Sequence, residues 1–468
     1  MASAGGRFGA SAGAARVRPY AAGALFGVWA AAIALAPGVA AKAALAAPAV
    51  TIPTAWWLLR TPHRWVTLFF AAALLLPPLP IAMGDSGPHP CLVLAAFGLL
   101  AGVLCLGDWR MDFSGPGAPL AALGAILLAS VAWAAFDSGG AAAAGSLARV
   151  ALFGISVYLY FYPRDGAADG RLRLLFYLAA ASALFACIDF YYQFPAPAGY
   201  EPQFVWLDVG VVRRAQGIFY EASTLGNLCA FFLAMIAVAL TRSREEAPVP
   251  RWALVLAAPV FLLALVLSYS RASLVNVMMA LGVLAWLNRR RLRLARLAGW
   301  LAAGGAAGAL LVWRIFPAFA ASYWLRLVNS AAYFFSAPEG VLSGRLASWQ
   351  TLAGWIGAHP WEAFFGIGYK TLPYTSYLGA PVIADNMYLS LLVETGVAGL
   401  AVLVWLNVAI LRASARAARS ECGRRAFCGT WMLCFWAGEA VQMASGDILT
   451  YWRVLPVYLW VLALAVRA

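Results

Sequence analysis

Charged side chains are scarce in this sequence. Of its 468 residues, only 11% are Asp, Glu, Lys or Arg, whereas 64% are hydrophobic. Many apolar runs approach the ~20 residues that a helix needs to cross a bilayer core. The scarcity of charge, together with these runs, predicts a polytopic membrane protein.

Patterns of metal ligands are also missing. No Asp-x-Asp or paired carboxylate and no His/Cys cluster occurs on the side of the membrane that we predict to be outer. The seven cysteines are scattered, and Cys422, Cys428 and Cys434 have no nearby histidine to complete a zinc site. The sequence therefore predicts no metal site and no cofactor.

Basic residues exceed acidic ones, and the formal charge is +14. They fall in short clusters between apolar runs and form no face that combines basic and aromatic residues, which argues against nucleic acid. With the N-terminus in the cytoplasm, most of them lie on the cytoplasmic side, as the positive-inside rule requires. The C-terminus is then cytoplasmic too, and the contacts expected of the chain are with membrane lipids.

About fourteen apolar runs can be counted, and twelve is the competing count. The predicted fold is an all-α polytopic bundle of about 12–14 transmembrane helices with one long periplasmic loop module. We assign residues 1–200 to N-terminal transmembrane helices and residues 201–468 to a core that includes the loop 317–384. The N-terminus imitates a secretory signal peptide, but we interpret it as an uncleaved first helix.

Five basic residues on the outer side are not explained by topology. These are Arg213, Arg214, Arg271, Arg345 and Lys370. Guanidinium groups suit phosphate oxygens, and the double arginine leads into a helix headed by Glu221, whose N-terminus adds a positive dipole end. They predict a site for an anionic ligand.

Each of these signals also has a plainer interpretation. Arg271, in LSYSRASL between two apolar runs, could snorkel to lipid headgroups. One arginine of the double pair could form an ion pair with Glu201, Asp208 or Glu221. The glycines of FFGIGYKT fit a plain turn as well as a loop that approaches a ligand.

The stretch ADNMYLSLLVETGVAGL (384–400) opens a membrane helix with polar residues. Asn386, Ser390 and Glu394 recur every four residues and share one face of that helix. Asp385 is predicted either to cap the helix or to act as a general base at the membrane boundary. Because a buried carboxylate needs a partner, Glu394 is expected to meet an arginine or a backbone group of another helix.

The segment 345–358, RLASWQTLAGWIGA, has apolar residues at helical spacing. Leu346, Trp349, Ala353 and Ile356 share one side, with Trp355 nearby. The pattern is typical of an amphipathic helix on the membrane surface, or of a helix that packs on the bundle.

Five motifs in this order resemble the bacterial O-antigen ligase and polymerase superfamily. They are RRAQGIF before an apolar span, SYSRASL, GRLASWQ, FFGIGYKT and DNMYLSLLVETGVAGL. In the ligases the last motif reads His-Asn, nine residues, Gly-x-x-Gly, and here Asp385 replaces the histidine. The resemblance covers roughly residues 213–399.

The resemblance implies a metal-independent glycosyltransferase of the inner membrane, with its active site on the periplasmic face. It would transfer glycan from an undecaprenyl-diphosphate carrier to an acceptor sugar. We favour a polymerase of O-antigen or exopolysaccharide repeat units over a ligase acting on lipid A core, and a lipid-linked glycan flippase is the alternative of another class.

The resemblance and the residues together assign roles. The catalytic residues are expected to be Asp385, Arg271 and Arg214. The diphosphate is expected to bind Arg213, Arg214, Arg271, Arg345 and Lys370, and the supporting residues are Asn386, Glu394 and Glu221.

Overall fold

The computed structural model describes residues 12–79, 88–163, 168–197, 199–207, 210–242, 246–289, 310, 313–314, 317–333, 344–374 and 382–467. In these ranges the chain is almost entirely helical, with one hairpin of two antiparallel strands. The all-α class predicted from the sequence is confirmed.

The elements follow one another along the chain with the following bounds. The helices are α1 (Ala12–Leu35), α2 (Gly38–Arg60), α3 (Arg64–Leu75), α4 (Pro90–Leu104), α5 (Gly117–Phe161), α6 (Ala168–Tyr192), α7 (Ala222–Thr241), α8 (Arg251–Leu267), α9 (Arg271–Leu287), α10 (Pro317–Ala332), α11 (Arg345–Ala358), α12 (Pro360–Phe365), α13 (Met387–Ala417), α14 (Gly423–Gln442) and α15 (Leu455–Val466). Strands β1 (Phe204–Leu207) and β2 (Gly210–Arg213) pair with Phe204 opposite Arg213.

Four of these helices, α5, α6, α7 and α13, are long and apolar enough to cross a membrane by length and composition. Helix α5 consists of two segments that meet at Gly139, whose backbone angles (φ 86°, ψ 172°) are not helical. Shorter apolar helices of 10–17 residues accompany the long ones. These helices confirm the multi-pass membrane class, while the total number of spans stays a prediction.

Two span predictions need comment. The last of the apolar runs counted in the sequence lies near residues 448–466, and α15 occupies Leu455–Val466 of it, after turns that start at Asp447. The apolar run near residues 297–316, also counted as a span, lies mostly outside the described residues.

Helix α7 lies in the centre of the core. Its Phe231 and Phe232 are fully buried, and the Trp431 indole donates a hydrogen bond of 2.8 Å to the Phe231 carbonyl. Where α14 crosses α9, a Cβ on Gly438 would lie 2.6 Å from the Asn276 carbonyl oxygen. The helices therefore approach as closely as small residues permit, as is common in membrane bundles.

Helix α11 packs on the protein. Leu352 and Trp355 are buried in a cluster with Val393 of α13, and the Trp349 indole donates to the Ala384 carbonyl at 2.7 Å. Ala353 of the predicted apolar side is exposed in this structure. Of the two interpretations of this segment, the described contacts favour packing on the bundle.

The two ends of the bundle carry different segments. One end, here called the arginine-rich end, holds the C-terminus of α7, the N-terminus of α14 and the C-terminus of α15, which Arg242 and Arg425 join by hydrogen bonds. The opposite end, called the site end, holds the hairpin, the α8–α9 turn, the segments 344–374 and 382–386, and the turn before α15. Hydrogen bonds from Ala215 to Leu267 and from Met387 to Gly446 connect these segments.

Candidate functional site

A break in α13 shapes the site end. Gly396 has φ 74° and ψ −172°, so the helix is interrupted there. The carbonyl groups of Val393 and Glu394 accept hydrogen bonds from the backbone of Ile367 (3.1 Å) and Gly368 (2.8 Å). Buried backbone carbonyls that lose their partners at a helix break need other donors. The loop after α12 supplies these donors.

The glycines of FFGIGYKT permit this contact. A Cβ on Gly366, whose φ is 87°, would lie 2.5 Å from the Glu394 carbonyl oxygen, and one on Gly396 would lie 2.2 Å from that of Phe364. The loop backbone therefore approaches a helix rather than a ligand.

Glu394 and Lys370 are fixed by the same loop. The Glu394 carboxylate is only 2% exposed and accepts hydrogen bonds from the backbone of Lys370 and Leu372. Its backbone partners thus belong to a loop and not to another helix as predicted, and among the described residues its Oε2 has no hydrogen-bond partner. The Lys370 ammonium forms a short ion pair with Asp447. Burial alone would lower the pKa of Lys370, but Asp447 and Glu394 outweigh it and hold the pKa above its ordinary value.

Asp385 is not the helix cap. Asn386 occupies that position, and its side-chain oxygen accepts a hydrogen bond from the Leu389 backbone at 3.1 Å. Asp385 has φ 43°, which turns its carboxylate towards Arg345, whose Nε lies 3.0 Å from Oδ2. The capping interpretation of Asp385 was therefore wrong, because a left-handed backbone directs its side chain away from the helix end. The carboxylate remains 47% exposed.

The double arginine is divided between two environments. Arg213 is 8% exposed, lies 3.6 Å from an Asp189 oxygen of α6 and donates to the Phe194 carbonyl at 3.2 Å. Arg214 donates through Nε to the Ser268 carbonyl at 2.8 Å, in the turn before Arg271. Successive residues of an extended strand point to opposite faces, which explains the separation.

Asp189 was missed as the partner of Arg213. The predicted partners were Glu201, Asp208 and Glu221, of which Asp208 lies outside the described residues. The signal was present, since an acid inside the apolar run LFACIDFYY requires a partner of opposite charge.

Arg271 opens α9 beside the head of α7. The hydroxyl of Ser270 caps α9 and lies 2.8 Å from the hydroxyl of Ser273. A Cβ on Gly226 of α7 would lie 2.9 Å from the Ser270 Cβ. A guanidinium at this point lies at the helix end, close to the other basic groups of the site end.

Four basic side chains from four segments meet here. Burial lowers the pKa of Arg214, and Tyr451, Arg345, Glu221 and Arg271 are near enough to influence it. Lys370 is linked to these arginines through Asp447, with which it pairs and which is near enough to Glu221 to raise its pKa. We call Arg214, Arg271, Arg345 and Lys370 the cation cluster. The carboxylates beside it are Glu221, Asp385 and Asp447.

Glu221 is the most perturbed of these carboxylates. Its Oε2 accepts a hydrogen bond of 2.6 Å from the Thr224 hydroxyl. Burial raises its pKa, and Asp447 and Asp385 raise it further, although Thr224 and Arg214 act in the opposite direction. Protonation of Glu221 would remove one negative charge from beside the basic side chains.

Strained backbone is concentrated at the same end. In the described part of the chain, the non-glycine residues with positive φ are Gln193, Tyr220, Tyr269, Lys370 and Asp385. Lys370 belongs to the cation cluster, and Asp385 is one of the carboxylates beside it. Tyr220 and Tyr269 immediately precede Glu221 and Ser270, and Gln193 precedes Phe194. Conformations of this kind cost about 1–3 kcal/mol each and accumulate at functional sites.

A cavity of about 580 Å³ adjoins the cluster. It lies between the hairpin segment, the head of α7 and the turn before α15. Its lining consists of Arg149, Gly199, Tyr200, Glu201, Pro202, Gln203, Phe219, Tyr220, Glu221, Thr224, Thr450, Tyr451, Trp452 and Arg453. Sequence reasoning missed Arg149, Tyr451 and Arg453.

Arg453 has a structural role in this wall. It is buried, and its guanidinium donates to the carbonyl groups of Ala73, Leu76 and Ile218 at 2.7–3.0 Å. Because its N–H groups donate to these carbonyls, Arg453 connects α3 to the segment before α7 and does not offer its guanidinium group to a ligand.

Among the residues that the structure describes, no group of three or more His, Cys, Asp or Glu side chains is arranged to hold a metal ion. The arginines and the lysine named above are cationic groups at the site end that can neutralise an anion.

Fold and site together define a polytopic helical membrane protein with a cationic site at one end of its bundle. Residues 252–404 match the family model described as O-Antigen ligase. The match extends from α8 into α13 and includes Arg271, Arg345, Lys370 and Asp385, which confirms the resemblance to the O-antigen ligase and polymerase superfamily. It implies a glycosyltransferase-like enzyme that acts on a lipid-linked glycan and an acceptor. A search of curated proteins found no match.

Proposed function

We propose that the protein transfers glycan from an undecaprenyl-diphosphate carrier to an acceptor sugar at the periplasmic face of the inner membrane. The observation that carries this proposal is the cation cluster, which gathers four basic side chains from separate segments at one end of the bundle. A lipid diphosphate that bears a sugar carries two phosphate charges, which guanidinium and ammonium groups can bind.

The cluster would act on the leaving group. As the acceptor hydroxyl attacks the anomeric carbon, the bond from that carbon to the diphosphate breaks and the diphosphate takes the electron pair. Arg214 and Arg271 offer guanidinium forks that can bind phosphate oxygens in pairs, while Lys370 adds a compact charge. Fixed cations placed where charge develops stabilise such a transition state.

Two of the predicted phosphate ligands have other partners. Arg345 is paired with Asp385, so this ion pair would rearrange or share the guanidinium when a diphosphate binds. Arg213 is paired with Asp189 and the Phe194 carbonyl, and we propose that it positions Arg214 by fixing the end of β2. Direct contact with the phosphate is thereby assigned to the four residues of the cluster.

Polymerisation of lipid-linked repeat units is the reaction we favour. Asp385 stands where the ligases have a histidine, which argues against ligation to lipid A core. The match to the family described as O-Antigen ligase favours that ligation as the second candidate. A flippase would place ionisable groups near the bilayer midplane, whereas Glu221, Asp385 and Lys370 lie at helix ends.

The test uses purified protein in proteoliposomes with lipid-linked repeat units extracted from the source cells. A polymerase should release undecaprenyl diphosphate and lengthen the glycan when this substrate is supplied alone. A ligase should require added lipid A core. Release of no carrier with either acceptor would contradict glycosyl transfer.

A further inference from the structure

The cavity beside the cation cluster has no part in leaving-group stabilisation. We propose that it binds the acceptor sugar and that Glu221, in its wall, takes the proton from the attacking hydroxyl. This inference rests on the proposed function, and it assigns to Glu221 the role that the sequence predicts for Asp385.

Two residues connect the cavity to the cluster. Glu221 and Tyr451 line the cavity, and both lie near Arg214. Of the residues described as lining the cavity, none is one of the four cations. A diphosphate bound to the cations would therefore lie on one side of the Glu221 carboxylate, and a ligand in the cavity would lie on the other. The nucleophile and the leaving group must meet at such a point.

The lining is suited to a sugar ring. Tyr200, Phe219, Tyr220, Tyr451 and Trp452 supply aromatic surface, and the Tyr200 and Tyr220 rings lie 5.2 Å apart. A pyranose has apolar C–H faces that such rings can cover. Its hydroxyl groups can donate hydrogen bonds to carboxylates. A volume of about 580 Å³ lies in the usual range for small-molecule sites.

The carboxylate of Glu221 is free from helix capping. Although Glu221 precedes α7, its side chain makes no capping hydrogen bond. Gln203 takes that role, because its side-chain oxygen accepts from the Ala222 backbone at 3.0 Å. The left-handed Tyr220 (φ 56°) turns the chain immediately before Glu221.

The surroundings of Glu221 suit a proton acceptor better than those of Asp385. The charged and titratable groups around it include Arg214, Asp447, Asp385, Tyr451 and Tyr200, with the Thr224 hydroxyl in contact. Burial raises its pKa towards the operating range, where a general base is most efficient. Asp385 is half-exposed and bound to Arg345, so we assign it the positioning of that arginine.

The step balances without a further reactant. The acceptor oxygen forms a bond to the anomeric carbon, and the carbon–oxygen bond to the diphosphate breaks. The electron pair of that bond leaves with the diphosphate on the cation cluster. The hydroxyl proton passes to the Glu221 carboxylate.

Binding is tested with Tyr200→Ala and the matched control Tyr374→Ala, an exposed tyrosine of the same end outside the cavity lining. With a carrier-free repeat-unit oligosaccharide as acceptor and the lipid-linked repeat as donor, each varied separately, we expect the first change to raise the KM for the acceptor about tenfold with the KM for the donor unchanged, and the control to alter neither. A rise in the donor KM, or no rise at all, would overturn the acceptor site.

The proton acceptor is tested with Glu221→Gln and Asp385→Asn. The glutamine keeps an oxygen for Thr224, so folding should persist while kcat falls ~10²–10⁴-fold, and undecaprenyl diphosphate should still protect the protein against thermal aggregation. Asp385→Asn should lose less than about tenfold. The reverse ranking would show that Asp385 is the base.

A third measurement separates this inference from the proposed function. Tyr200→Cys, in a Cys422→Ser background, is treated with maleimide in the presence of extracted lipid-linked oligosaccharide or of undecaprenyl diphosphate. Only the oligosaccharide should protect the thiol, and equal labelling with both would overturn sugar binding. If the wild-type protein transfers no glycan, the proposed function and the role of Glu221 are both overturned. Protection of the thiol by the oligosaccharide would still establish the sugar site.

Discussion

Arginines at both ends of the bundle bind backbone carbonyls as well as carboxylates. At the arginine-rich end, Arg425 donates to the Ala465 carbonyl at 3.1 Å, and Arg242 and Arg424 pair with Glu246 and Asp169. At the site end, Arg214 donates to the Ser268 carbonyl at 2.8 Å, and Arg345 and Lys370 pair with Asp385 and Asp447. The two ends differ in that the ion pairs of the site end adjoin strained backbone and a cavity.

Arg453 sharpens this comparison. It lies at the site end, yet it binds three backbone carbonyls and resembles the structural arginines of the other end. The side of the membrane therefore does not identify a functional arginine. Strained backbone and a raised carboxyl pKa nearby, rather than the kind of partner, distinguish the site end.

The largest effect is expected when cysteines are labelled to test membrane topology, because each cysteine is either accessible to the reagent or inaccessible. The natural Cys422 is exposed at the arginine-rich end, and Glu201 is exposed at the site end. In spheroplasts, an impermeant maleimide should leave the wild-type protein unlabelled and should label Glu201→Cys. Labelling of Cys422 without labelling of Glu201→Cys would reverse the topology and place the site in the cytoplasm.

Arg271→Lys should cause the next largest loss. The change keeps the charge but removes the planar fork, and loss of one preorganised donor to a developing anion typically costs ~10²–10³-fold in kcat. Arg425→Lys at the other end is the matched control and should keep nearly full turnover. Equal activity of both variants, at equal amounts in the membrane, would return Arg271 to the snorkelling interpretation.

Gly366→Ala should destabilise the docking of the loop on α13. The new Cβ would lie 2.5 Å from the Glu394 carbonyl oxygen on a backbone with φ 87°, which should cost about 1–3 kcal/mol. Gly357 of α11 has open space around it, so Gly357→Ala should be neutral or slightly stabilising. The thermal midpoints of the two purified variants provide the measurement, and a Gly366→Ala midpoint at the wild-type value would refute the tight contact.

The pH dependence of kcat/KM should show the raised pKa of Glu221. A general base must be ionised, so activity should be full above its pKa and should fall as pH decreases through it. Because burial raises that pKa, the acid limb should be centred above 4.5, the ordinary value for glutamate. Glu221→Asp should move the midpoint, whereas an acid limb at the ordinary value, unchanged in this variant, would argue against Glu221.

The smallest expected effect is that of a chelator. If the cation cluster neutralises the diphosphate, turnover in EDTA should equal turnover without it. Inactivation that magnesium or manganese reverses would reveal a metal requirement in the transfer.

The sequence alone predicted the class and much of the site. Long apolar runs require helices in a bilayer, because every backbone group must find a partner within its own segment. Basic residues not explained by topology made Arg213, Arg214, Arg271, Arg345 and Lys370 candidate phosphate ligands, and that role stays a prediction.

Contacts between distant segments were decided only by the tertiary structure. The partner of Arg213 is a carboxylate of α6, the carbonyls freed at Gly396 bind a loop some thirty residues earlier in the chain, and Asp385 yields the cap to Asn386. Local patterns contain the periodicity of a helix but not the three-dimensional arrangement that selects a partner for each buried polar group. Glu221 illustrates the limit, because its perturbed pKa arises from burial and from Asp447 and Asp385, which approach it only after the bundle has closed.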